Sequence, residues 1–268
     1  MAKKFWTKKT LIWTIVAIIV LGFGGYYLYA RSFAVLPDVS ISLMEDVREP
    51  NSTDRILIIT PHPDDETIAC AGYIQRTVKN KARIKMVLVT DGNRRSFGPE
   101  RYEEYKEAMK ILGIGEESLI FLELPDFYLK ESISSDELGS ILKSEIEDFS
   151  PTVVFYPDPD DENPDHKYIG EITDSIVAGD EKIESYTYLV HYPYFPQPVG
   201  LRPEYNLTPP VKLVDSSHHW QKFILEPAEE DKKLEALSTY KTQLRTPLLH
   251  NLLMSMIRRN ELFSAQQR

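Results

Sequence analysis

The chain has 268 residues, 42% of them hydrophobic and 27% charged, with 12 glycines, 18 prolines and a single cysteine, Cys70. This excludes a collagen, a low-complexity disordered chain and a disulfide-stapled mini-scaffold, and allows one or two domains with a sizeable core. A formal net charge of −10 argues against general nucleic-acid binding.

The charge is divided along the chain. Residues 1–10 hold Lys3, Lys4, Lys8 and Lys9 and no acid, and read as a basic tail. Residues 11–30 carry no charge, and ten of them are Leu, Ile, Val or Phe. As a helix this stretch spans about 30 Å, the thickness of a bilayer's hydrocarbon core. Trp13, Tyr26, Tyr27 and Tyr29 suit its interfaces. Lysines before the span and the single Arg31 after it predict a cytoplasmic tail and an extracellular remainder. A cleaved signal peptide is the competing reading, but the run is long and no A-x-A site follows. The lack of a nearby cysteine argues against a lipoprotein anchor. Apolarity on every face argues against a buried core helix.

Residues 31–53, with Pro37, Pro50 and a polar Asn51-Ser52-Thr53, read as a linker to a domain over 54–268. There the pattern becomes regular. Short β-branched runs predict strands at 55–60, 84–90, 118–122, 152–156 and 186–191. Helical spacing predicts helices at 66–80, 100–112 (ended by Gly113), 136–149 (capped by Ser134 or Ser135) and 168–178. This alternation implies a Rossmann-like α/β fold, a mostly parallel sheet with helices on both faces. Beyond Tyr192 the rhythm breaks. A Pro/Tyr-rich stretch (192–210) leads to an expected hairpin of 211–215 and 220–225, a helix at 228–244 and an amphipathic tail.

The first strand runs into Pro61-His62-Pro63-Asp64-Asp65-Glu66, and the fourth into a run from Pro157 that ends Asn163-Pro164-Asp165-His166. In an open parallel sheet, sites form beyond the C-terminal strand ends. His62, Asp65 and His166 would make a two-His, one-carboxylate set with an open position, the pattern of a catalytic zinc, with Asp64 left free. The second run's Pro-x-Pro-Asp-Asp-Glu opening, an echo of the first, is set aside as local turn chemistry. Its acids lack the glycine and terminal glutamate of an EF-hand. His218 and His219, adjacent in an expected strand, point to opposite faces and make a poor ligand pair. Cys70 falls within a helix and reads as core. No Gly-x-Ser-x-Gly, P-loop or Rossmann glycine fingerprint is present.

These motifs resemble the PIG-L/LmbE family of zinc-dependent N-acetylglucosamine deacetylases. Supporting likenesses are Val89-Thr90-Asp91-Gly92-Asn93, the helix from Arg101 through Glu104 and Ala108 to Leu112-Gly113, and the stretch from Lys233 to Gln243. The resemblance implies Zn2+ on His62, Asp65 and His166, Asp64 as general base, and Asp165 orienting a ligand. Where the family often has a histidine that stabilises the oxyanion, this chain has Asn163, which can donate a hydrogen bond but not a proton. Either Asn163 does a weaker version of that job, or another residue such as His191 or His219 supplies the proton. Arg94, Arg95 and Arg101 can hold sugar hydroxyls or phosphate, and Tyr194 in its Tyr/Pro stretch can stack on a sugar. The expected activity is deacetylation of an N-acetylglucosamine-containing glycan or glycolipid at the outer membrane face. The alternatives are a non-catalytic glycan-binding protein of the same fold and a zinc hydrolase of another amide or thiol-sugar conjugate.

Overall fold

The computed structural model describes residues 7–266; Lys3 and Lys4 of the basic flank lie outside them. The first helix, α1 (Lys8–Arg31), has no buried residue and a mean hydropathy of 2.1 over its apolar window. It is long and apolar enough to cross a membrane, and a signal sequence near an N-terminus has the same character. A 3-10 turn spans Asp38–Leu43.

The rest alternates strand and helix: β1 (Glu45–Asp46), β2 (Arg55–Thr60), α2 (Asp65–Lys79), β3 (Arg83–Thr90), α3 (Gly98–Leu112), β4 (Leu119–Leu124), α4 (Leu129–Ser132), α5 (Ser135–Phe149), β5 (Val153–Pro157), α6 (Pro164–Val177) and β6 (Glu184–Tyr188). Then come β7 (His219–Ile224), α7 (Pro227–Leu237), α8 (Lys241–Leu244), α9 (Pro247–Met254) and β8 (Asn260–Ala265). The sheet order is β1-β7-β8-β6-β5-β2-β3-β4. β8 runs antiparallel to β6 and β7, and the other pairings are parallel.

The central strands are apolar on both faces because helices cover both. Ile56, Ile58, Met86, Leu88 and Phe155 pack into the core that also holds Ile68, Tyr105 and Ala236, from α2, α3 and α7. The alternate residues Leu57, Ile59, Val87, Val89 and Val154 pack with Leu138 and Ile169, from α5 and α6. This two-sided burial gives near-continuous hydrophobic strands rather than alternating ones. Gly170 lets α6 approach the end of β5, since a Cβ there would lie 2.5 Å from the Pro157 carbonyl oxygen. From β2 the chain winds to β3 on one side and reaches β5 on the other. The loops after β2 and β5 therefore diverge and leave a crevice at the switch point.

The second half departs from the sequence expectation. There is no hairpin of 211–215 and 220–225. Val211–Leu213 is a single 3-10 turn, and β7 pairs with β8 and β1 instead. The helix expected at 228–244 is interrupted after Leu237 and resumes as α8. The tail expected to be amphipathic forms α9 and then β8, whose Asn260, Glu261, Leu262 and Phe263 are buried in the sheet. Within the stretch expected to be a linker, β1 extends the sheet and Val47 is buried.

The buried Glu261 has specific partners. Its carboxylate accepts hydrogen bonds from the Gly72 and Tyr73 amides (2.8 and 3.0 Å) and pairs with the buried Lys233 ammonium at 2.9 Å. This network ties the last strand to the middle of α2 and to α7.

Candidate active site

The crevice is built from three loops. Pro61–Asp64 follows β2 and leads into α2. Asp64 takes φ +122°, a backbone conformation that costs an L residue about 1–3 kcal/mol and so requires support. Arg101 on α3 supplies it. Its Nη2 donates to the Pro63 carbonyl at 2.6 Å and its Nη1 to the Gly92 carbonyl at 3.1 Å. Nη2 also lies 3.5 Å from Asp64 Oδ1, and Nη1 3.4 Å from Asp126 Oδ2. Arg101 is only 7% exposed, so its guanidinium braces these loops. It also lines the cavity, with its Nη donors already directed to these carbonyls and carboxylates.

The loop after β5 ends in a helix cap. Asn163 Oδ1 accepts from the Asp165 amide at 2.9 Å, and Pro164 occupies the first turn of α6. The cap puts Asp165 and His166 in that turn, facing the β2 loop, and leaves the Asn163 amide N–H donors for the pocket.

Three atoms then converge. Asp65 Oδ2 lies 3.0 Å from His166 Nε2 and 3.3 Å from His62 Nδ1, and the two ring nitrogens are 3.2 Å apart. Four ligands at ~2.0–2.1 Å around a tetrahedral Zn2+ would be separated by about this much. Two imidazole nitrogens facing each other beside a carboxylate have three lone pairs aimed at one point, which fits a cation. Oxygen and nitrogen donors of this kind suit zinc, and nickel, copper or iron to varying degrees.

The outward edges of both rings meet further acids. His62 Nε2 lies 3.3 Å from both Asp165 Oδ2 and Asp126 Oδ1. His166 Nδ1 lies 3.3 Å from Asp161 Oδ2. Carboxylates behind metal-ligating histidines fix the tautomer and raise ligand basicity. Sequence reasoning missed Asp126, which sits in a loop after β4 with no local motif. It also set aside the second acidic run, whose Asp161 is buried against His166.

These charges set the protonation states. Burial opposes a proton on His166, but Asp65 and Asp161 outweigh it and push the ring up to about 9. Burial likewise opposes charge on His62, which Asp126, Asp165 and Asp65 hold well above its ordinary value. Burial acts to raise Asp65, yet the two rings hold it well below the carboxylate range. Burial pushes Asp64 up to about 8 against the pull of Arg101. A cation bound by the neighbouring triad would act in the same direction as Arg101.

A cavity of about 540 Å³ opens over this floor. Its lining includes the polar Asp64, Asn163, His191, Arg94 and Tyr194 and the apolar Leu249, Leu253 and Met256. Arg94 stacks over Phe127, its guanidinium carbon 3.3 Å from the ring centroid. His191 stands edge-on to His166 with Nδ1 3.4 Å from Asp161 Oδ1. His219 is not at the cavity: it lies on β7 with Nε2 3.1 Å from Glu45 Oε2. His218 is not a surface residue, its Nε2 lying 3.5 Å from Asp158 Oδ1.

Residues 57–177 match the family model described as PIG-L, GlcNAc-PI de-N-acetylase. Over these residues the chain is similar to the PIG-L family. The chain is 31% identical over 140 residues to a diacetylchitobiose deacetylase of Thermococcus kodakarensis, covering 46% of this chain and 49% of that one. It is also 31% identical over 137 residues to a probable N-acetyl-alpha-D-glucosaminyl L-malate deacetylase of Bacillus anthracis, covering 46% and 59%. The chain thus spans about half the length of the curated relatives it matches. Among solved structures, the N,N'-diacetylchitobiose deacetylase of Pyrococcus horikoshii superposes with a TM-score of 0.55 at 20% identity, covering 80% of this chain and 84% of that one. That likeness supports the fold. The match over 57–177 takes in both loops of the candidate centre and leaves the α1 segment and the last three strands outside the PIG-L model.

Proposed function

We propose that this protein is a metal-dependent amide hydrolase. It removes the acetyl group from an N-acetylglucosamine-containing glycan or glycolipid at the outer face of a membrane spanned by α1. The observation that carries the reading is the convergence of His62 Nδ1, Asp65 Oδ2 and His166 Nε2 within 3.3 Å of one another on the floor of a cavity. The names of its relatives support an N-acetyl sugar as the substrate class.

Zn2+ held by these three atoms would polarise the acetyl carbonyl and acidify a water. Asp64 takes the proton of the attacking water as the oxygen adds to the carbonyl carbon. The Asn163 amide donates to the oxyanion that develops. His191, on the cavity wall, is placed to protonate the departing nitrogen as the C–N bond breaks. The products are acetate and a free amino sugar. Arg101 keeps Asp64 in its strained conformation, and Asp126, Asp161 and Asp165 hold the two rings. Arg94 and Tyr194 at the mouth contact the sugar.

The location rests on the uncharged stretch 11–30 of α1, with Lys8 and Lys9 at the helix's N-terminal end and Arg31 at its C-terminal end. The test is acetate release by the detergent-solubilised full chain from N-acetylglucosamine oligomers and from a lipid-linked N-acetylglucosamine. Release that disappears in Asp64→Asn supports the proposal. No release from either substrate with metal supplied contradicts it.

A further inference from the structure

We propose that the rim of the cavity is itself a membrane-docking collar, seated on the bilayer that α1 crosses. The collar presents the mouth of the active site to the lipid–water interface. The inference rests on the reading of α1 as a span.

Outside α1, the large apolar side chains that stand in solvent come mostly from three stretches. They include Val39 and Leu43, Val199 and Leu201, and Leu248 and Leu252. The stretches adjoin one another at the foot of α1. Leu36 N donates to the Pro209 carbonyl and Val211 N to the Ala34 carbonyl. Asp38 accepts from Asn206, and the Gly200 amide donates to Ser255 Oγ beyond α9. Scattered exposed leucines need no explanation, but a set on adjoining stretches that reaches the cavity wall at Val199 and Leu252 does.

The α9 helix makes the case sharpest. Its sequence, PLLHNLLM, is apolar nearly all round. Leu249, Leu252 and Leu253 line the cavity, while Leu248 is 73% exposed and Leu252, at the rim, 40%. A helix apolar on both faces calls for an apolar cover on the second one. The collar is also held in shape: buried Arg258 donates to the carbonyls of Pro198, Gly200 and Arg202.

The level of the collar points to lipid as that cover. Tyr194 Oη lies 3.2 Å from Tyr26 Oη. Tyr26 precedes the end of α1 by five residues, or roughly 7 Å of helix. The cavity rim therefore sits level with the aromatic end of α1, where Trp and Tyr favour the membrane interface. Phe33 packs against Tyr192 and Tyr194, and Lys212 lies over its ring. Exposed Arg31, Arg202 and Lys212 border the apolar patch as they would for anionic headgroups.

The test uses the full chain in nanodiscs of phosphatidylcholine and phosphatidylglycerol that carry both a headgroup-level and a mid-acyl-chain lipid nitroxide, so that a label at the bilayer centre and one at the interface are each within reach of a quencher. A fluorophore is attached at Leu252→Cys, Val199→Cys, Ile19→Cys or Lys143→Cys in separate samples. Cys70 is fully buried and does not compete for label. The proposal predicts lipid quenching at Leu252→Cys and Val199→Cys several-fold above Lys143→Cys on α5. Quenching at Ile19→Cys with none at the two rim positions overturns the collar and leaves the anchor standing. No quenching at Ile19→Cys overturns both. A blue-shifted rim label without lipid quenching, as a second copy of the chain covering the patch would give, also overturns the collar.

Discussion

His62 Nδ1 and His166 Nε2 face each other at 3.2 Å, although 104 residues separate them in the chain. The two rings come from loops that follow β2 and β5, adjacent parallel strands of opposite winding. Asp65 Oδ2 completes the triangle. Nothing about this arrangement favours packing. Two basic nitrogens and an anion aimed at one point become stable together when a cation sits between them.

Metal uptake is therefore expected to depend on pH. Without metal, nearby acids favour protons on both rings, raising His166 to about 9. The metal needs the lone pairs, so its binding should release about one to two protons and tighten as pH rises from 6 to 9. Without metal the sign is reversed. Because the folded value lies above the ordinary 6.5, the rings' contribution to stability is full below about 6.5 and is lost as pH rises through about 9. Calorimetry in buffers of different ionisation enthalpy measures the proton count. A count of zero would contradict the ligand assignment.

Arg101 should act through Asp64. Arg101→Met removes the donors to the Pro63 and Gly92 carbonyls and frees a strained residue. Turnover should fall by about 10²-fold, as misplacement of a reacting group does, while metal content stays at the wild-type level. The signature is a fall in kcat with the metal stoichiometry unchanged. Loss of metal instead would give Arg101 a different role.

Lys233 and Glu261 should be unequal partners. Lys233→Met leaves the Glu261 carboxylate with the Gly72 and Tyr73 amides, and burial already raises its pKa toward neutrality. Glu261→Leu leaves a buried ammonium and two backbone N–H groups without partners. Breaking such a pair costs about 3–5 kcal/mol. Glu261→Leu should therefore lower Tm more than Lys233→Met, and the double variant should recover part of the loss. Equal Tm values for the two single variants would contradict the network.

The parts of this molecule legible in the sequence are those whose cause is local. The five central strands and their helices follow from apolar runs, Gly113 and the Ser134 cap. His62, Asp65 and His166 were legible because each lies in the loop or first helical turn that follows a parallel strand. Asp126 was not, since its partners His62 and Arg101 are distant in sequence and its own loop carries no pattern. Asp161 had a visible signal in the repeated Pro-x-Pro-Asp-Asp-Glu run, which in the fold places it behind His166. β8 was illegible for a different reason. Its Asn260 and Glu261 are polar yet buried, satisfied by Leu207, Gly72 and Tyr73 from other elements. A hydrophobicity pattern cannot show such burial.

The central claim is that one metal ion is held by His62, Asp65 and His166 beside a proton-accepting Asp64. Metal analysis of the full chain, with acetate release measured on the same samples, tests it most directly. The account predicts about one zinc per chain in the wild type and in Asp64→Asn, and none in His166→Ala. Acetate release should be full in the wild type, reduced by about 10²–10⁴-fold in Asp64→Asn, and absent in His166→Ala. A wild type that binds no divalent ion, or an Asp64→Asn variant that deacetylates at the wild-type rate, would contradict it.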